Sequence, residues 1–243
     1  MTAPVFLVDP AAIGIDEVVL DGPEGRHAAV VVRLRAGERV DVTDGVGTLA
    51  ECVVASAAST TLRLTVQRRL SVPAGAPRLV VVQALPKGDR GETACAVLTE
   101  VGVDEIVPWS AAHSIVAWHG ARGEKAIERW RSTVRAAAKQ SRRAWLPVVA
   151  PLASTADVAD RLRAATLGVV LHESAALPLS KVLVPTAGEV VVVIGPEGSI
   201  TAAELAAFAA AGAPAYRLGS SILRTSTAGV VAASVLLAGS RWS

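Results

Sequence analysis

Two short stretches of this chain are apolar almost throughout, and both are rich in valine: Leu79-Val-Val-Val-Gln-Ala-Leu85 and Val190-Val-Val-Val-Ile194. A strand with one wet face alternates apolar and polar side chains. A continuous run of this length instead fits a strand of a parallel sheet covered on both faces. Strand-like segments at 104–109, 167–172 and 215–218 accompany these two runs. Helical patterns lie between them, at 91–102, over a long stretch at 124–143 that ends near Pro147, from about Thr201, and from about Thr227. Strands alternating with helices predict an α/β fold with a mainly parallel sheet.

Residues 1 to about 72 read differently. Arg39-Val-Asp-Val-Thr-Asp-Gly45 alternates and then turns at Asp44-Gly45, a hairpin signal, and Glu51-Cys-Val-Val54 and Thr61-Leu-Arg-Leu-Thr-Val66 continue the strand pattern. A small β barrel decorated by Arg26, His27, Arg33, Arg35 and Arg39 is expected. The Pro/Gly/Ala stretch Ser71-Val-Pro-Ala-Gly-Ala-Pro77 marks the boundary between a domain at 1–72 and one at 73–243.

Composition excludes several classes. With 51% hydrophobic residues the chain is not a disordered one, and 243 residues bury enough surface to need no disulfide staples. Cys52 and Cys95 stand far apart, which excludes a cysteine-built metal site. No apolar stretch reaches the roughly 18 residues of a membrane helix. The N-terminal segment lacks the basic start of a secretory signal. A reduced, cytoplasmic protein without membrane or metal is expected.

The net charge is only +2, but residues 122–143 hold eight Lys/Arg against two Asp/Glu. So concentrated a positive segment fits either a polyanion-binding face or a solvated helix face. Trp118, Trp130 and Trp145 flank it, available for stacking on bases or for packing in the core.

Two loops carry the chemistry. The apolar run 190–194 enters Gly195-Pro-Glu-Gly198, and Thr201-x-x-Glu204 then opens a helix with a capping-box pattern. Open α/β sheets bind ligands beyond the carboxyl ends of their strands, although the same residues also make an ordinary strand–helix turn. The second loop, Arg217-Leu-Gly-Ser-Ser-Ile-Leu-Arg-Thr-Ser-Thr-Ala228, again leaves a strand through glycine. Ser226 or Thr227 is expected to cap the following helix, and Arg224 sits where loop and helix meet, as a ligand-binding or a capping cation. There is no GxGxxG after a strand, no GxxxxGK[ST], no HExxH and no GxSxG, so these give no sign of a dinucleotide fold, P-loop, zinc protease or nucleophile elbow.

At these loops the chain resembles the RsmE family of SPOUT methyltransferases. Gly195-Pro-Glu-Gly198 and the segment 218–228 are similar to its signatures. Lys87-Gly-Asp-Arg-Gly-Glu92 resembles its lysine-rich loop, and Thr99-Glu-Val-Gly-Val-Asp-Glu-Ile-Val-Pro108 a further family segment. Arg129-Trp130, Gln140 and Pro147 fall at the spacing of its basic helix, and Arg26-His27 to Gly45 resembles its N-terminal PUA-like barrel. The resemblance implies an α/β SPOUT domain with a C-terminal trefoil knot behind that barrel. It implies a homodimer and transfer of a methyl group from S-adenosylmethionine to N3 of a uridine in 16S ribosomal RNA of the small subunit.

The resemblance also implies roles for particular residues. The cofactor pocket comprises Leu171 and His172, then Gly195, Glu197 and Gly198, then Leu218, Gly219, Ser221, Ile222 and Leu223, with Thr227 and Ala228 behind. Given that reaction, Arg224, as a fixed cation, is expected to stabilise negative charge on the uracil carbonyls or to grip a phosphate. Arg26, His27, Arg33, Arg35, Lys87, Arg90, Arg129, Gln140, Arg142 and Arg143 hold RNA. The chain departs from the family at Ser226, where many members carry Glu, at Ser199, where many carry Gly, and at Ser221, where a larger polar residue is common. The competing readings are a catalytically inactive ribosomal RNA-binding protein of the same fold and an α/β enzyme acting on a small molecule.

Overall fold

The computed structural model describes residues 3–242. The chain forms two compact units. One comprises the chain up to Ala74 together with Ala138–Leu146; the other comprises Gly75–Ala137 and the chain from Pro147 onward. A single division after residue 72 therefore misses the nine-residue return of Ala138–Leu146 to the first unit.

The first unit contains β1 (Val5–Leu7), β2 (Glu17–Leu20), α1 (Gly22–Arg26), β3 (Arg39–Thr43), β4 (Thr48–Ala57) and β5 (Leu62–Ser71). They form one five-stranded sheet in the order β1-β3-β4-β5-β2, with β1 parallel to β3 and the other ladders antiparallel. Inward residues of all five strands, including Phe6, Val18, Val42, Val54 and Leu64, share one core. A single sheet buries such a core only by coiling around it. The expected hairpin joins β3 to β4. The carboxylate of Asp44 accepts the amides of Val46 and Thr48 at 2.8 and 2.9 Å, and Gly45 and Gly47 take left-handed φ values of 74° and 109°. Residues 27–32, which lie in the stretch read as strand, instead continue α1 as a π-helical turn that Arg33 ends at φ 61°.

The returning segment is bound to this unit along its length. The Lys139 ammonium donates to both oxygens of Glu24, at 2.7 and 3.0 Å, and lies 5.1 Å from the Phe6 ring centroid. Arg142 pairs with the buried Asp41. The Leu146 amide donates to the Gly45 carbonyl at 2.8 Å, and the Trp145 indole N–H to the Val72 carbonyl at 2.9 Å. Trp145 and Arg142 thus serve the fold of the first unit.

The second unit begins with β6 (Arg78–Ala84), α2 (Arg90–Val101), β7 (Glu105–Trp109) and α3 (Gly120–Gln140), whose last residues belong to the first unit. Next come β8 (Val148–Val149), α4 (Thr155–Ala164), β9 (Leu167–Leu171) and β10 (Leu177–Pro178). It closes with β11 (Glu189–Ile194), α5 (Ala202–Ala210), β12 (Ala215–Arg217) and α6 (Thr225–Ala238). Its seven strands run in the order β10-β12-β9-β11-β6-β7-β8, and every ladder is parallel. The central strands β6 and β11 are buried along nearly their whole length, as their unbroken apolar runs demand. The α/β class with a parallel sheet and a separate N-terminal β domain is borne out.

Three helices of this unit differ from expectation, and one of them, α3, runs Gly120–Gln140 rather than 124–143. α4 was not anticipated, although Ser154 and Asp157 form a complete capping box at its start. α6 begins two residues earlier than expected, with Arg224 at its cap. Neither expected hydroxyl caps it: Ser226 is buried inside the first turn, and the Thr227 hydroxyl donates back to the Arg224 carbonyl at 3.3 Å.

Among the described residues, no helix is long and apolar enough to cross a membrane, and no group of three or more His, Cys, Asp and Glu is placed to hold a metal ion.

Candidate functional site

Because the seven strands are parallel, the segments that follow them emerge at one edge of the sheet. Residues 85–89 follow β6, 110–119 follow β7, His172 follows β9, 195–201 follow β11 and 218–224 follow β12. The register sets these exits close together: Gln83 pairs with Ile194, Val193 with Val170, and Leu171 with Tyr216.

The turn at 195–199 is the centre of this edge. A Cβ on Gly195 would lie 2.7 Å from Ile200 Cγ1, and one on Gly198 would lie 2.9 Å from His113 Cβ, so the turn packs as it does only with glycine at both places. Pro196 between them is buried. Glu197 is held from the β6 side, where the Lys87 amide and the Arg90 guanidinium donate to its Oε1 at 3.3 and 3.1 Å. Behind the turn, Thr201 and Glu204 form the anticipated capping box of α5. Glu204 also accepts the Ala112 amide at 2.8 Å. Burial raises the Glu204 pKa, but the bonds from Ala112, Thr201 and Thr155 outweigh burial and hold it below the ordinary value.

At the end of β9 the His172 amide donates to the Tyr216 carbonyl at 2.9 Å. The His172 ring lies between two hydroxyls, Ser174 Oγ 2.8 Å from Nδ1 and Ser199 Oγ 3.4 Å from Nε2. Ser199 takes φ 62°, a left-handed value at which glycine would be unstrained, and its hydroxyl donates to Glu173 at 3.1 Å. A bond from its own backbone amide is the largest influence holding the Glu173 carboxyl below its ordinary range, with His172 and Ser199 adding to it.

The third loop is open. Leu218 is half-buried, and Gly219, Ser221, Ile222 and Leu223 are exposed, Ile222 at 83% and Leu223 at 37%. No atom lies within 4 Å of a Cβ built on Gly219. Arg224 is exposed at the N-terminal end of α6, with Thr227 and the half-buried Ala228 in the turn behind it.

The basic residues fall into three groups. Lys87, Arg90 and Arg129 belong to the second unit; Arg90 pairs with Glu197, and Arg129, 70% exposed in its side chain, lies 3.4 Å from Glu92. Arg26, His27, Arg33 and Arg35 are exposed on the first unit, His27 with its ring edge-on to Phe6 at 5.8 Å. Gln140, Arg142 and Arg143 lie in the returning segment. Trp130 is a core residue, 2% exposed and in T-shaped contact with Trp118 at 5.0 Å. The sequence reading missed His113, Glu173 and the segment 110–119 as parts of this edge. The available signal was topological: any segment that follows a strand of a parallel sheet reaches the same edge.

Comparison with known proteins agrees with this architecture. A family model described as an RNA methyltransferase domain matches residues 74–237, and one described as an RNA methyltransferase PUA domain matches residues 20–67. The chain is 46% identical to the ribosomal RNA small subunit methyltransferase E of Mycobacterium bovis, over 100% of this chain and 94% of that protein. It is 28% identical to the protein of the same name from Bacillus subtilis, over 89% and 88% of the two chains. The crystal structure of the Neisseria gonorrhoeae ribosomal RNA small subunit methyltransferase E bound to S-adenosyl methionine matches with a TM-score of 0.86 at 25% identity, covering 98% of each chain. With both domains matched and identity this high over the full length, the chain belongs to the ribosomal RNA small subunit methyltransferase E family.

Proposed function

We propose that this chain transfers the methyl group of S-adenosylmethionine to N3 of a uridine in 16S ribosomal RNA, using the carboxyl edge of its parallel sheet. Methyl transfer to small-subunit ribosomal RNA with that donor follows from family membership; the nucleotide position, the residue roles and the assembly state are our reading. The observation that carries it is the convergence at one edge of the Lys87–Arg90 segment, the Gly195–Gly198 turn and the loop at 218–224, with Lys87 and Arg90 bonded directly to Glu197.

The residues at this edge fit the donor. An adenine ring is flat and apolar on its faces and polar at its edge. Glycine-containing turns at 195–198 and 219 expose main-chain edges, and Leu171, Leu218, Ile222 and Leu223 supply apolar cover beside them. His172, Glu197, Ser221, Thr227 and Ala228 complete the pocket in this reading. When bound, S-adenosylmethionine supplies a sulfonium methyl group open to in-line displacement. The protein's own contribution is placement, since holding both reactants at contact distance lowers the barrier substantially.

Uridine N3 carries a proton and becomes a good nucleophile once that proton leaves. Negative charge then spreads onto the uracil carbonyls. Arg224 is the cap residue at the amino-terminal end of α6, and in this reading its cation, together with the positive end of the helix dipole, stabilises that charge. Ser226 is buried and, carrying only a hydroxyl, supplies no carboxylate for proton removal. N3 lies on the pairing edge, so the target nucleotide must be unpaired or turned out of its stack.

Arg26, His27, Arg33, Arg35, Lys87, Arg90, Arg129, Gln140, Arg142 and Arg143 are the groups we assign to the RNA backbone; of these, Arg90, Arg129 and Arg142 would first have to leave Glu197, Glu92 and Asp41. We take the working form to be a cytoplasmic homodimer with the knotted topology of the family. The exposure of Ile222 and Leu223 in the single chain supports a partner subunit covering the third loop. The test is transfer of labelled methyl to small ribosomal subunits and to naked 16S RNA, followed by nucleoside analysis. Label in N3-methyluridine is the expected result. Label in a ribose or a cytosine overturns the N3 assignment, and full activity of a monomer overturns the dimer.

A further inference from the structure

Two histidines hold consecutive residues of the Gly195–Ser199 turn, one from each side of β11. His113, in the segment after β7, places Nδ1 2.8 Å from the Gly198 carbonyl oxygen. His172, after β9, faces the Ser199 hydroxyl. We infer that His113 is a positioning residue for the cofactor turn, with the His172–Ser199–Glu173 chain as its counterpart on the other flank. The inference rests on the reading of this turn as part of the S-adenosylmethionine site.

The chemistry of each contact defines its proton. A carbonyl oxygen only accepts, so Nδ1 of His113 carries hydrogen, and the bond persists whether the ring is neutral or charged. On the other flank the Ser174 amide donates to Nδ1 of His172 at 3.3 Å. That ring nitrogen therefore presents a lone pair, and the proton sits on Nε2 toward Ser199. The Ser199 hydroxyl in turn donates to Glu173 at 3.1 Å.

His113 is itself firmly mounted. The amide of its neighbour Ala112 donates to Glu204 at 2.8 Å, and the same buried carboxylate accepts the Thr201 amide at 2.9 Å and the Thr201 hydroxyl at 2.7 Å. The result is a closed circuit: turn, start of α5, Glu204, Ala112, His113 and back to Gly198. Within it, glycine at 198 brings the turn into contact with His113, because a Cβ there would lie 2.9 Å from His113 Cβ. Main-chain edges recognise a ligand only while the chain that carries them stays in place, so a clamp of this kind acts on cofactor affinity ahead of chemistry.

The test is titration calorimetry of S-adenosylmethionine into the full chain, paired with methyl-transfer kinetics and thermal unfolding. His113→Ala is expected to raise the Kd about tenfold while kcat at saturating cofactor stays within about threefold. His113→Asn, whose side-chain amide donates from the same distance along the chain as Nδ1, is expected to restore affinity to within about threefold of the parent. Ser199→Gly relieves the left-handed backbone and removes the hydroxyl; it is expected to keep or raise Tm and to weaken cofactor binding about threefold, which separates positioning from folding. An unchanged Kd in His113→Ala, or an Asn variant no better than Ala, overturns the inference and leaves the site reading standing. A folded parent chain that takes up no S-adenosylmethionine overturns both.

Discussion

Arg161 holds both carboxylate oxygens of Glu105, through Nη1 at 2.5 Å and Nη2 at 2.8 Å. The same guanidinium reaches Glu189 at 3.1 Å, and Arg78 bridges the two glutamates from the other side. Arg78, Glu105 and Glu189 open β6, β7 and β11, so this four-residue network closes the amino edge of the sheet, opposite the candidate site. It serves stability.

Removing Glu105, whose side chain is 9% exposed, leaves Arg78 and Arg161 with Glu189 as their one remaining shared anion. Glu105→Ala is therefore expected to destabilise the fold by about 3 kcal/mol, read as a lowered Tm, with the methyl-transfer rate of the folded fraction unchanged. Loss of activity at full stability would assign the network to the site instead.

The same group predicts a pH dependence. Burial raises the Glu105 pKa, but hydrogen bonds and charge from Arg161 and Arg78 outweigh it and hold the carboxyl below its ordinary 4.5. A depressed folded pKa contributes stability that is complete above the unfolded value and lost as pH falls through the folded one. Thermal unfolding from about pH 6 down to about pH 3 is expected to show a steeper fall in Tm for the parent than for Glu105→Gln, which has no such proton to bind. Parallel curves would remove Glu105 from the acid transition.

Arg224→Ala is expected to lower kcat about a hundredfold while cofactor affinity changes little, because in the proposed mechanism this cation acts on charge that develops on the substrate. Arg224→Lys keeps the charge and recovers part of the rate. Single-turnover methyl transfer measures both, and a fully active Ala variant sinks this role.

Glycines at the edge separate into two kinds. Gly195→Ala forces its Cβ to 2.7 Å from Ile200, whereas Gly219→Ala meets nothing within 4 Å. The first is expected to weaken cofactor binding about tenfold through a displaced turn, and the second to leave Tm within about 2 °C of the parent. Equal stability and affinity in both variants would show that the turn yields without consequence.

Arg129 and Arg142 are both cations of the basic segment, yet they predict opposite outcomes. Arg129 is 70% exposed in its side chain, and Arg129→Ala is expected to weaken RNA binding and reduce the salt slope by about one unit without changing Tm. Arg142→Ala strands Asp41, 4% exposed, and is expected to destabilise the first unit by about 1–3 kcal/mol. Filter binding across a salt series together with thermal unfolding separates the two, and reversed results would reverse the assignments.

The central strands were legible because burial on both faces writes itself into consecutive residues, as in Val190-Val-Val-Val-Ile194. The α5 start was legible for the same local reason, since Thr201 and Glu204 recognise each other across three positions. The turn at 22–32 was not. Its run of valines carries a strand preference, and the surrounding fold overrode it with helix.

Local spacing alone thus determined the parallel core, the hairpin at Asp44-Gly45 and the glycine turns at the ends of strands, because a repeat of bonds or burial along the chain leaves its period in the sequence. Tertiary structure decided that residues 138–146 belong with the first domain, that Arg142 serves Asp41, and that His113 meets Gly198. Those partners lie 85 or more residues apart, for example Thr43 with Ala144 and His113 with Gly198. Contacts at that separation depend on the path of the whole chain through the sheet, and no short window of sequence encodes that path.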